Sequence, residues 1–363
     1  MCESGTSKTI AAGAYPVSAG AGFLSDFRLS RRATLALGAG AFGAPGVLAQ
    51  LSPDWQGLPA RIATQRPDVR SVAVVQRGAL VFDFLRAGLG ADSLQDVQSV
   101  TKSVLALLFG CALADGLVRG VDELVALRLP QLLRLGGDER LRRLRFVHLL
   151  TMTAGWPGEL TARRDRDDDL RWLALRPFVA EPGARFAYDN GAANLLALAL
   201  ANAVGRPLAD YARDRLLAPL GISRFAWRRG AQGQALGALG LSIGVRDLAR
   251  LGELVLAGGR WGGRALLPAD YLRQATTPRQ AGGAPVFAPY GYLWWLSAER
   301  LARGQTRGAI MASGYGGQWL YVDPARDAAI AVTARRTPES AARGQALALI
   351  RRDILPALRR PAQ

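Results

Sequence analysis

The sequence is poor in histidine, cysteine and lysine. Its 363 residues include one histidine, His148, and two cysteines, Cys2 and Cys111. A zinc site of the Cys/His type needs several such residues at close spacing, so the sequence excludes one. A Ser-His-Asp triad would need His148, which lies in the apolar segment RFVHLLTMTAG, and no Gly-x-Ser-x-Gly elbow is present. We therefore interpret His148 as a structural residue and expect no metal and no cofactor.

The two cysteines are not expected to form a disulfide. Cys2 lies in an N-terminal segment that we expect to be removed, and Cys111 lies in an apolar helical run. A cysteine in such a run behaves as a small buried hydrophobe. After removal of Cys2 one cysteine remains, so intramolecular pairing is excluded in any compartment.

Residues 1–49 have the pattern of an export signal. The segment LSRRATLALGAGAFGAPGVLAQ (29–50) carries paired arginines, Arg31 and Arg32, then a short Gly/Ala-rich apolar region and small residues up to Ala49. This twin-arginine pattern predicts a periplasmic or secreted bacterial protein without a stable membrane span after signal removal. The alternative is an uncleaved apolar arm that packs on the domain.

Positive charge is in excess, and nearly all of it is arginine. The formal net charge is +17, and Lys8 and Lys102 are the only lysines among 46 basic residues. Such a balance can indicate a nucleic-acid partner or an anionic surface. The basic residues are scattered and accompany no nucleic-acid-binding motif, so we expect no nucleic-acid partner. A basic adhesion protein of the cell envelope remains an alternative.

Predicted strands lie early and late in the chain, and predicted helices fill the middle. Hairpin patterns at 71–88 and 316–336 flank an apolar helix at 191–205 and amphipathic helices at 210–222 and 245–259. Early strands can join late strands in one sheet and leave the helical middle as an inserted lobe. Clefts between such lobes are favoured ligand sites.

A serine and a lysine head the apolar run QSVTKSVLALLFG (98–110). Ser99 and Lys102 lie three positions apart, on one face of a helix. The first turn of a helix favours developing negative charge, and burial of the lysine would lower its pKa, so that Lys102 could act as the base for Ser99. The alternative is an exposed helix start with an N-cap serine.

Lys102 is the only lysine that remains after signal removal. In a chain that otherwise uses arginine, an exposed position would have become arginine as well. A position that needs a titratable amine cannot, because a guanidinium stays protonated. This contrast favours the interpretation of Ser99 and Lys102 as a nucleophile and its base.

With the chain order in view, the sequence resembles the serine β-lactamase and penicillin-binding protein superfamily, in particular its class C-like branch of esterases, D-aminopeptidases and nylon-oligomer hydrolases. Three motifs carry the resemblance in order: SVTK (99–102), YDN (188–190) and SGYGGQW (313–319). The resemblance covers roughly residues 55–355.

The resemblance implies a β-lactamase/transpeptidase-like α/β (α+β) fold, in which helices flank an antiparallel sheet and a mostly helical lobe is inserted. One hydrolase domain would span residues 50–363. Its α/β part would take about 55–110 and 285–360, and the lobe would take about 111–284.

The resemblance also implies roles for single residues. Ser99 would be the acylated nucleophile, and Lys102, alone or with the phenol of Tyr188, would take its proton. Tyr188 would then pass a proton to the leaving group, and Asn190 would hydrogen-bond the substrate amide or the lysine. The division of labour between Lys102 and Tyr188 stays open, since coupled groups share their titration. For Tyr188 and Asn190 the alternative is a turn with a core tyrosine.

In the third motif, Tyr315 stands where family members have a lysine, and Gly316 and Gly317 follow it. The oxyanion hole would be the backbone N–H groups of Ser99 and Gln318. In the family's β-lactamases and peptidases that lysine helps to bind the substrate carboxylate. Its absence disfavours efficient β-lactam hydrolysis, unless an arginine from elsewhere compensates.

Aromatic residues near the third motif suggest a less charged pocket. Besides Tyr315, these are Trp294 and Trp295, for which a place in the core is an equal alternative. We therefore expect an exported serine hydrolase that cleaves a small ester, amide or peptide-like substrate through an acyl-enzyme. The alternatives are β-lactamase or D,D-peptidase-like activity, and a penicillin-binding-like protein that binds ligands without turnover.

Overall fold

The computed structural model describes residues 55–158, 169–230, 233–297 and 308–358. The predicted export signal lies outside these residues. The α-helices are α1 (Leu58–Gln65), α2 (Val100–Ala114), α3 (Val125–Arg128), α4 (Gln131–Leu135), α5 (Phe146–Leu150), α6 (Leu170–Ala174), α7 (Asn190–Val204), α8 (Leu208–Ala212), α9 (Val245–Leu256), α10 (Ala269–Ala275), α11 (Pro338–Arg343), α12 (Gln345–Leu349) and α13 (Leu355–Ala357).

The strands fall into three sheets. They are β1 (Val69–Gln76), β2 (Ala79–Leu85), β3 (Gln95–Asp96), β4 (Phe225–Trp227), β5 (Leu241–Ile243), β6 (Arg260–Trp261), β7 (Arg264–Ala265), β8 (Gln280–Gly283), β9 (Ala288–Tyr290), β10 (Trp295–Leu296), β11 (Ile310–Gly314), β12 (Gln318–Asp323) and β13 (Ala328–Ala334). Single 3-10 turns occupy Glu139–Arg143 and Ala218–Leu220, and π-helical turns occupy Arg213–Leu217 and Ile350–Ile354.

The main sheet joins the two ends of the described chain. It has eight strands in the order β2-β1-β13-β12-β11-β10-β9-β8, and neighbouring strands pair antiparallel. Both predicted hairpins are present, and Arg77 and Gly78 form the two-residue turn between β1 and β2, each with positive φ. Since β1 pairs with β13, the early hairpin is held by the late one.

Helices cover both faces of this sheet. Trp55, just before α1, stacks on Phe82 of β2 with ring centroids 5.1 Å apart. The next residue, Asp83, forms an ion pair with Arg246 of α9. Because successive strand residues point to opposite faces, α1 and α9 lie on opposite sides of the sheet. The expected fold class, an antiparallel sheet flanked by helices, is confirmed.

Between β2 and β8 most of the regular elements in the described residues are helices, together with the small sheet β3-β5-β4 and the hairpin β6-β7. Helices α2 and α7 are the longest of these elements, and nearly every residue of each is buried. Apolar residues all around a helix are typical of a position inside a protein. The predicted boundaries of the lobe and of the α/β part remain predictions.

Two further features of the described helices concern length. The amphipathic helix expected at 210–222 runs from Leu208 to Leu220 through α8, a π turn and a 3-10 turn. Within the described ranges, no single helix is long and apolar enough to cross a membrane. The bent pair Asn190–Val204 and Leu208–Leu220 is together long and apolar enough to do so, by length and composition alone.

Candidate active site

Ser99 lies at the N-terminal end of α2, directly before its first helical residue, Val100. Its backbone is right-handed helical, with φ −67° and ψ −5°, and its side chain makes no capping hydrogen bond to the helix. The hydroxyl therefore does not cap the helix, so the alternative interpretation of Ser99 as an N-cap serine does not apply. Its Oγ is available to neighbouring side chains.

The residue before the serine has an unusual backbone. Gln98 has φ +52°, which is left-handed and uncommon for a side chain other than glycine. The carboxylate of Asp96 holds it there, because one oxygen accepts the Gln98 backbone N–H at 2.9 Å and the other accepts the side-chain amide at 2.8 Å. This turn places Ser99 at the start of α2.

Lys102 is buried, and its amine faces three oxygens. Nζ lies 3.0 Å from Ser99 Oγ, 2.8 Å from Asn190 Oδ1 and 2.7 Å from the backbone oxygen of Ala238. The side chain is only 1% exposed. A buried amine must have its hydrogen-bonding capacity met by the protein, and these three oxygens meet it. The contact with Ser99 follows from the i, i+3 spacing on one helical turn.

Tyr188 completes the polar centre. Its hydroxyl interacts with that of Ser99, and Lys102 Nζ lies 4.9 Å from the centre of the Tyr188 ring. The ring stacks on Trp295 with centroids 5.5 Å apart and planes 20° apart. Burial raises the pKa of the Tyr188 phenol above its usual value, since the interaction with Ser99 only partly opposes the loss of solvation.

Asn190 is held in place by its neighbour in the chain. Asp189, the N-cap residue of α7, accepts the backbone N–H of Ala192 at 2.8 Å and forms a buried bidentate pair with Arg176 at 2.7 and 2.6 Å. All the described hydrogen bonds of the Asp189 carboxylate are therefore to groups other than Lys102. Of the residues on either side of Asp189, Asn190 contacts Lys102, and Tyr188 lies beside both Ser99 and Lys102.

The third motif is the loop between β11 and β12. Gly316 and Gly317 have φ of +81° and +103°, and a Cβ on Gly316 would lie 2.4 Å from the backbone oxygen of Arg335. Only glycine fits such an approach. Ser340 of α11 donates a hydrogen bond of 2.8 Å to the Gly316 oxygen, so the loop is tied to the C-terminal helices.

The side chain of Gln318 turns away from the serine. Its amide donates to the backbone oxygens of Tyr315 and Ala334 at 3.2 and 2.9 Å, and its oxygen accepts the Ala334 N–H at 3.1 Å. These bonds pin the third-motif loop to β13. The predicted role of Gln318 in the oxyanion hole concerns its backbone N–H alone.

A cleft of about 990 Å³ opens above Ser99. The predicted residues that line it are Ser99, Tyr188, Asn190, Tyr315, Gly316 and Gly317. Much of the remaining wall is apolar, with Leu239, Val286, Trp319 and Leu347 among its members. Trp294 and Trp295 are buried beneath it and belong to the core, whereas Tyr315 is 49% exposed.

Other candidate chemistry is absent from the described part of the chain. No group of three or more His, Cys, Asp or Glu side chains there could hold a metal ion. His148 does not line the cleft, and its Nδ1 accepts the Arg145 N–H at 3.2 Å at the start of α5. Cys111 is free and buried within α2.

The arrangement suits nucleophilic chemistry by a serine. A hydroxyl, a buried amine and a buried phenol are in mutual contact at the floor of an open cleft, which is the geometry of an activated nucleophile. Sequence reasoning missed the Ala238 carbonyl, the Asp96 brace and Arg176. Ala238 contributes its backbone oxygen, which any residue could supply, and Asp96 binds the backbone N–H of Gln98. Arg176 pairs with a residue 13 positions away. No local sequence motif therefore marks any of the three.

Several solved structures share this fold. A putative 6-aminohexanoate-dimer hydrolase from Bacillus anthracis superposes with a TM-score of 0.66 at 18% identity, over 83% of this chain and 83% of that chain. A penicillin-binding protein homolog from Caulobacter crescentus gives 0.65 at 20% identity, over 84% and 98%. A family VIII carboxylesterase gives 0.63 at 16% identity, over 81% and 98%. At these identities the likeness concerns the fold alone.

A search of curated proteins finds no match for the chain. The model of the Beta-lactamase family matches residues 59–352, which takes in almost all of the described residues. The superfamily expected from the three motifs is thereby confirmed. The chain belongs to the Beta-lactamase family, a family of hydrolases whose fold is shared by esterases and penicillin-binding proteins.

Proposed function

We propose that this protein is an exported serine hydrolase that cleaves an ester or a linear amide through an acyl-enzyme on Ser99. The observation that carries the proposal is the 3.0 Å contact between Ser99 Oγ and the buried Nζ of Lys102. A serine hydroxyl is a weak nucleophile at its free pKa and needs an adjacent base. The proposed substrate is a small ester, amide or peptide-like molecule, and the proposed location is the periplasm or the exterior of the cell.

The contacts of Lys102 fit a neutral amine that acts as the base. Such an amine has two N–H groups, which Asn190 Oδ1 and the Ala238 oxygen accept, and one lone pair, which accepts the Ser99 hydroxyl proton. As Oγ attacks the substrate carbonyl, its proton moves to Lys102. The negative charge then grows on the carbonyl oxygen, near the backbone N–H groups of Ser99 and Gln318 that the motifs predict as the oxyanion hole.

Tyr188 suits the transfer of a proton to the leaving group. Its hydroxyl lies beside that of Ser99, and its raised pKa keeps the phenol neutral, so that it can donate. Collapse of the tetrahedral intermediate would break the bond to the alcohol or amine as that group gains a proton. Water would then attack the acyl-enzyme and return Ser99 to its free form with release of the acid.

The cleft favours an ester or linear amide over a β-lactam as substrate. Tyr315 replaces the cation of the third motif, and the apolar part of the wall includes Leu239, Val286 and Leu347. Such a wall suits an apolar acyl or alkyl group. Arg351 and Arg352 also line the cleft, so the comparison with nitrocefin below tests whether they take the place of the third-motif cation. The open shape of the site also leaves room for unbranched chains along the C-terminal helices.

The first experiment measures hydrolysis of p-nitrophenyl acetate and p-nitrophenyl butyrate, with nitrocefin in parallel. The wild-type protein is compared with Ser99→Ala and with a matched control, Ser103→Ala, which removes a buried hydroxyl from the same helix that bonds the Leu293 oxygen instead. We expect ester turnover in the wild type and the control, its loss in Ser99→Ala, and slow nitrocefin turnover.

Other results would change the assignment. Rapid nitrocefin turnover would replace the esterase-like proposal with a β-lactamase. A stable acyl adduct on Ser99 without turnover, seen as a mass increase of the intact protein, would indicate a binding protein. Ester turnover that persists in Ser99→Ala would remove Ser99 from the mechanism.

A further inference from the structure

A second cavity, of about 690 Å³, lies directly beside the catalytic cleft. Gln98 and Tyr315 line both cavities and so form the wall between them. Three arginines line the second cavity: Arg70 from β1 and Arg335 and Arg336 from the segment after β13. Among the described residues no other cation lines it, and Ser99, Lys102 and Tyr188 are not part of its lining.

The charge of this cavity is not neutralised by its lining. Asp96 is the one carboxylate among the lining residues, and it faces three arginines. Its oxygens already accept both N–H donors of Gln98 and a bond of 2.5 Å from Arg336. One carboxylate that is fully engaged leaves a net positive cavity.

The arginines also keep donors to spare. Arg70 uses its Nε on Gln95 at 2.8 Å, and Arg336 uses one Nη on Asp96. The side chain of Arg335 makes no hydrogen bond or ion pair with any residue in the described ranges, and it is exposed. Each guanidinium carries five N–H donors in a planar fork that matches a carboxylate.

The second cavity is close enough to Ser99 to take part in substrate binding. Gln98 directly precedes Ser99, and Tyr315 opens the third-motif loop, so the wall between the cavities belongs to the catalytic centre itself. The half-exposed ring of Tyr315 is the main side chain that a long substrate would pass. A substrate bound at Ser99 can therefore place a distal group among the arginines.

We propose that this cavity binds a carboxylate of an extended substrate whose scissile ester or amide lies at Ser99. The proposal rests on the proposed serine hydrolase activity and adds the substrate class: monoesters or monoamides of dicarboxylic acids, or acyl derivatives of a hydroxy or amino acid. Arg70 and Arg335 are the specificity residues, since neither is paired with a carboxylate, whereas Arg336 is paired with Asp96. Arg336 mainly holds Asp96, which braces Gln98.

The net charge of the whole protein, and Arg351 and Arg352 in the catalytic cleft itself, are the competing explanations for a preference for anions. A formal charge of +17 attracts any anionic substrate. The test therefore compares variants that each lose a positive charge at different places. Arg264→Gln serves as the control, because Arg264 is exposed on the hairpin β6-β7 and lines neither cavity.

The experiment uses two matched substrate pairs that differ in one charge. In the acyl pair, mono-p-nitrophenyl adipate is compared with its methyl ester. In the leaving-group pair, 4-acetoxybenzoate is compared with methyl 4-acetoxybenzoate. For each pair the ratio of kcat/KM, charged over neutral, is measured for wild type, Arg335→Gln, Arg70→Gln/Arg335→Gln and Arg264→Gln.

We expect the wild type to prefer the charged member of at least one pair. The ratio should fall roughly fivefold or more in Arg335→Gln, the size of one partly screened charge contact, and further in the double variant. Arg264→Gln should keep the wild-type ratio. The single variant keeps the test valid if the double variant fails to fold, because the exposed Arg335 side chain makes no described hydrogen bond or ion pair and its charge acts on Asp68 less than Arg343 does.

Two results would overturn the proposal. One is the absence of a preference for the charged member in both pairs. The other is a preference that Arg335→Gln and Arg264→Gln change equally or not at all, which would trace it to net charge or to Arg351 and Arg352 in the catalytic cleft. Loss of Ser99-dependent turnover for the neutral members would instead contradict the proposed function, so the two failures are distinguishable.

Discussion

At the scale of single residues, the site depends on buried polar atoms that hydrogen-bond to one another. Lys102 reaches one oxygen on its own helix, one on α7 and one on the chain before β5. Tyr188 is almost fully buried, and its ring is positioned by stacking on Trp295. Removal of a hydroxyl here should therefore affect the chemistry more than the packing.

Replacement of Tyr188 by phenylalanine tests this separation. We expect Tyr188→Phe to lower kcat for p-nitrophenyl butyrate by about 10²- to 10⁴-fold, because a proton donor is lost. The thermal midpoint should change little, since the ring still stacks on Trp295. Steady-state kinetics and thermal unfolding by circular dichroism measure the two effects.

The matched control is Tyr290→Phe, which removes a hydroxyl from a buried ring that also packs on Trp295, at 4.5 Å. We expect near wild-type kcat from this variant. An equal loss of activity in Tyr290→Phe and Tyr188→Phe would mean that the aromatic cluster acts through packing and that the Tyr188 hydroxyl has no separate role.

At the scale of elements, the C-terminal helices form one wall of the cleft and are fastened to β1. Asp68, next to the start of β1, accepts two hydrogen bonds of 2.6 Å from Arg343 at the end of α11. Its backbone N–H donates to the Gln345 side chain at 3.0 Å, and its backbone oxygen accepts the Arg335 N–H at 2.9 Å. Asp68 thus fixes α11 through its carboxylate and α12 through its backbone N–H.

Replacement of Asp68 by asparagine should loosen this wall. We expect Asp68→Asn to lower the free energy of unfolding at pH 7 by about 1–3 kcal/mol, since a buried charge-assisted pair is lost while Arg343 stays half in solvent. KM for the butyrate ester should rise, because Leu347 and its neighbours lose their anchor. Urea unfolding and kinetics measure the two changes.

The pH dependence of this effect has a definite sign. Hydrogen bonds from Arg343 hold the pKa of Asp68 below its usual value. The stabilisation is present above the unfolded pKa of about 3.9 and is lost as pH falls through the lower folded value. The wild type and Asp68→Asn should therefore converge in strong acid. Asp270→Asn, from an exposed pair with Arg273, should change stability by less than about 0.5 kcal/mol.

At the scale of the whole molecule, titration at high pH concerns tyrosine and cysteine almost alone. Arginine does not lose its proton in the accessible range, and residues 50–363 contain one lysine. Burial raises the pKa of Tyr188, Tyr271 and Tyr290, and it raises the pKa of Cys111 to about 12. All four are acids whose neutral form is favoured in the folded state.

The folded protein should accordingly lose stability in alkali. Unfolded cysteine and tyrosine release protons near pH 8.5 and 10, whereas the buried groups keep theirs. The folded state then binds more protons than the unfolded state, so the free energy of unfolding falls by about 1.4 kcal/mol per pH unit for each such group. Urea unfolding from pH 8 to 11 measures the slope.

Absorbance at 295 nm, which reports tyrosinate, supplies the second measurement. We expect part of the tyrosine absorbance to appear only as the circular dichroism signal of the fold is lost. Titration of all eight tyrosines near pH 10, with the native signal intact, would contradict the burial of Tyr188, Tyr271 and Tyr290.

The sequence by itself determined the family, the sheet-forming ends, the helical middle and the pairing of Ser99 with Lys102. These features depend on local spacing: alternation marks a strand, and positions three apart share a helix face. The tyrosine of the YDN motif also follows from chain order together with the resemblance.

Only the tertiary structure decided which distant atoms complete the centre. The Ala238 oxygen is 136 positions from Lys102, and Arg336 is 240 positions from Asp96. Tertiary packing also assigned Trp295 to the support of Tyr188, turned the Gln318 side chain away from the cleft, and gathered three arginines beside it. Such contacts have no local pattern, because they arise where strands and helices from opposite ends of the chain meet.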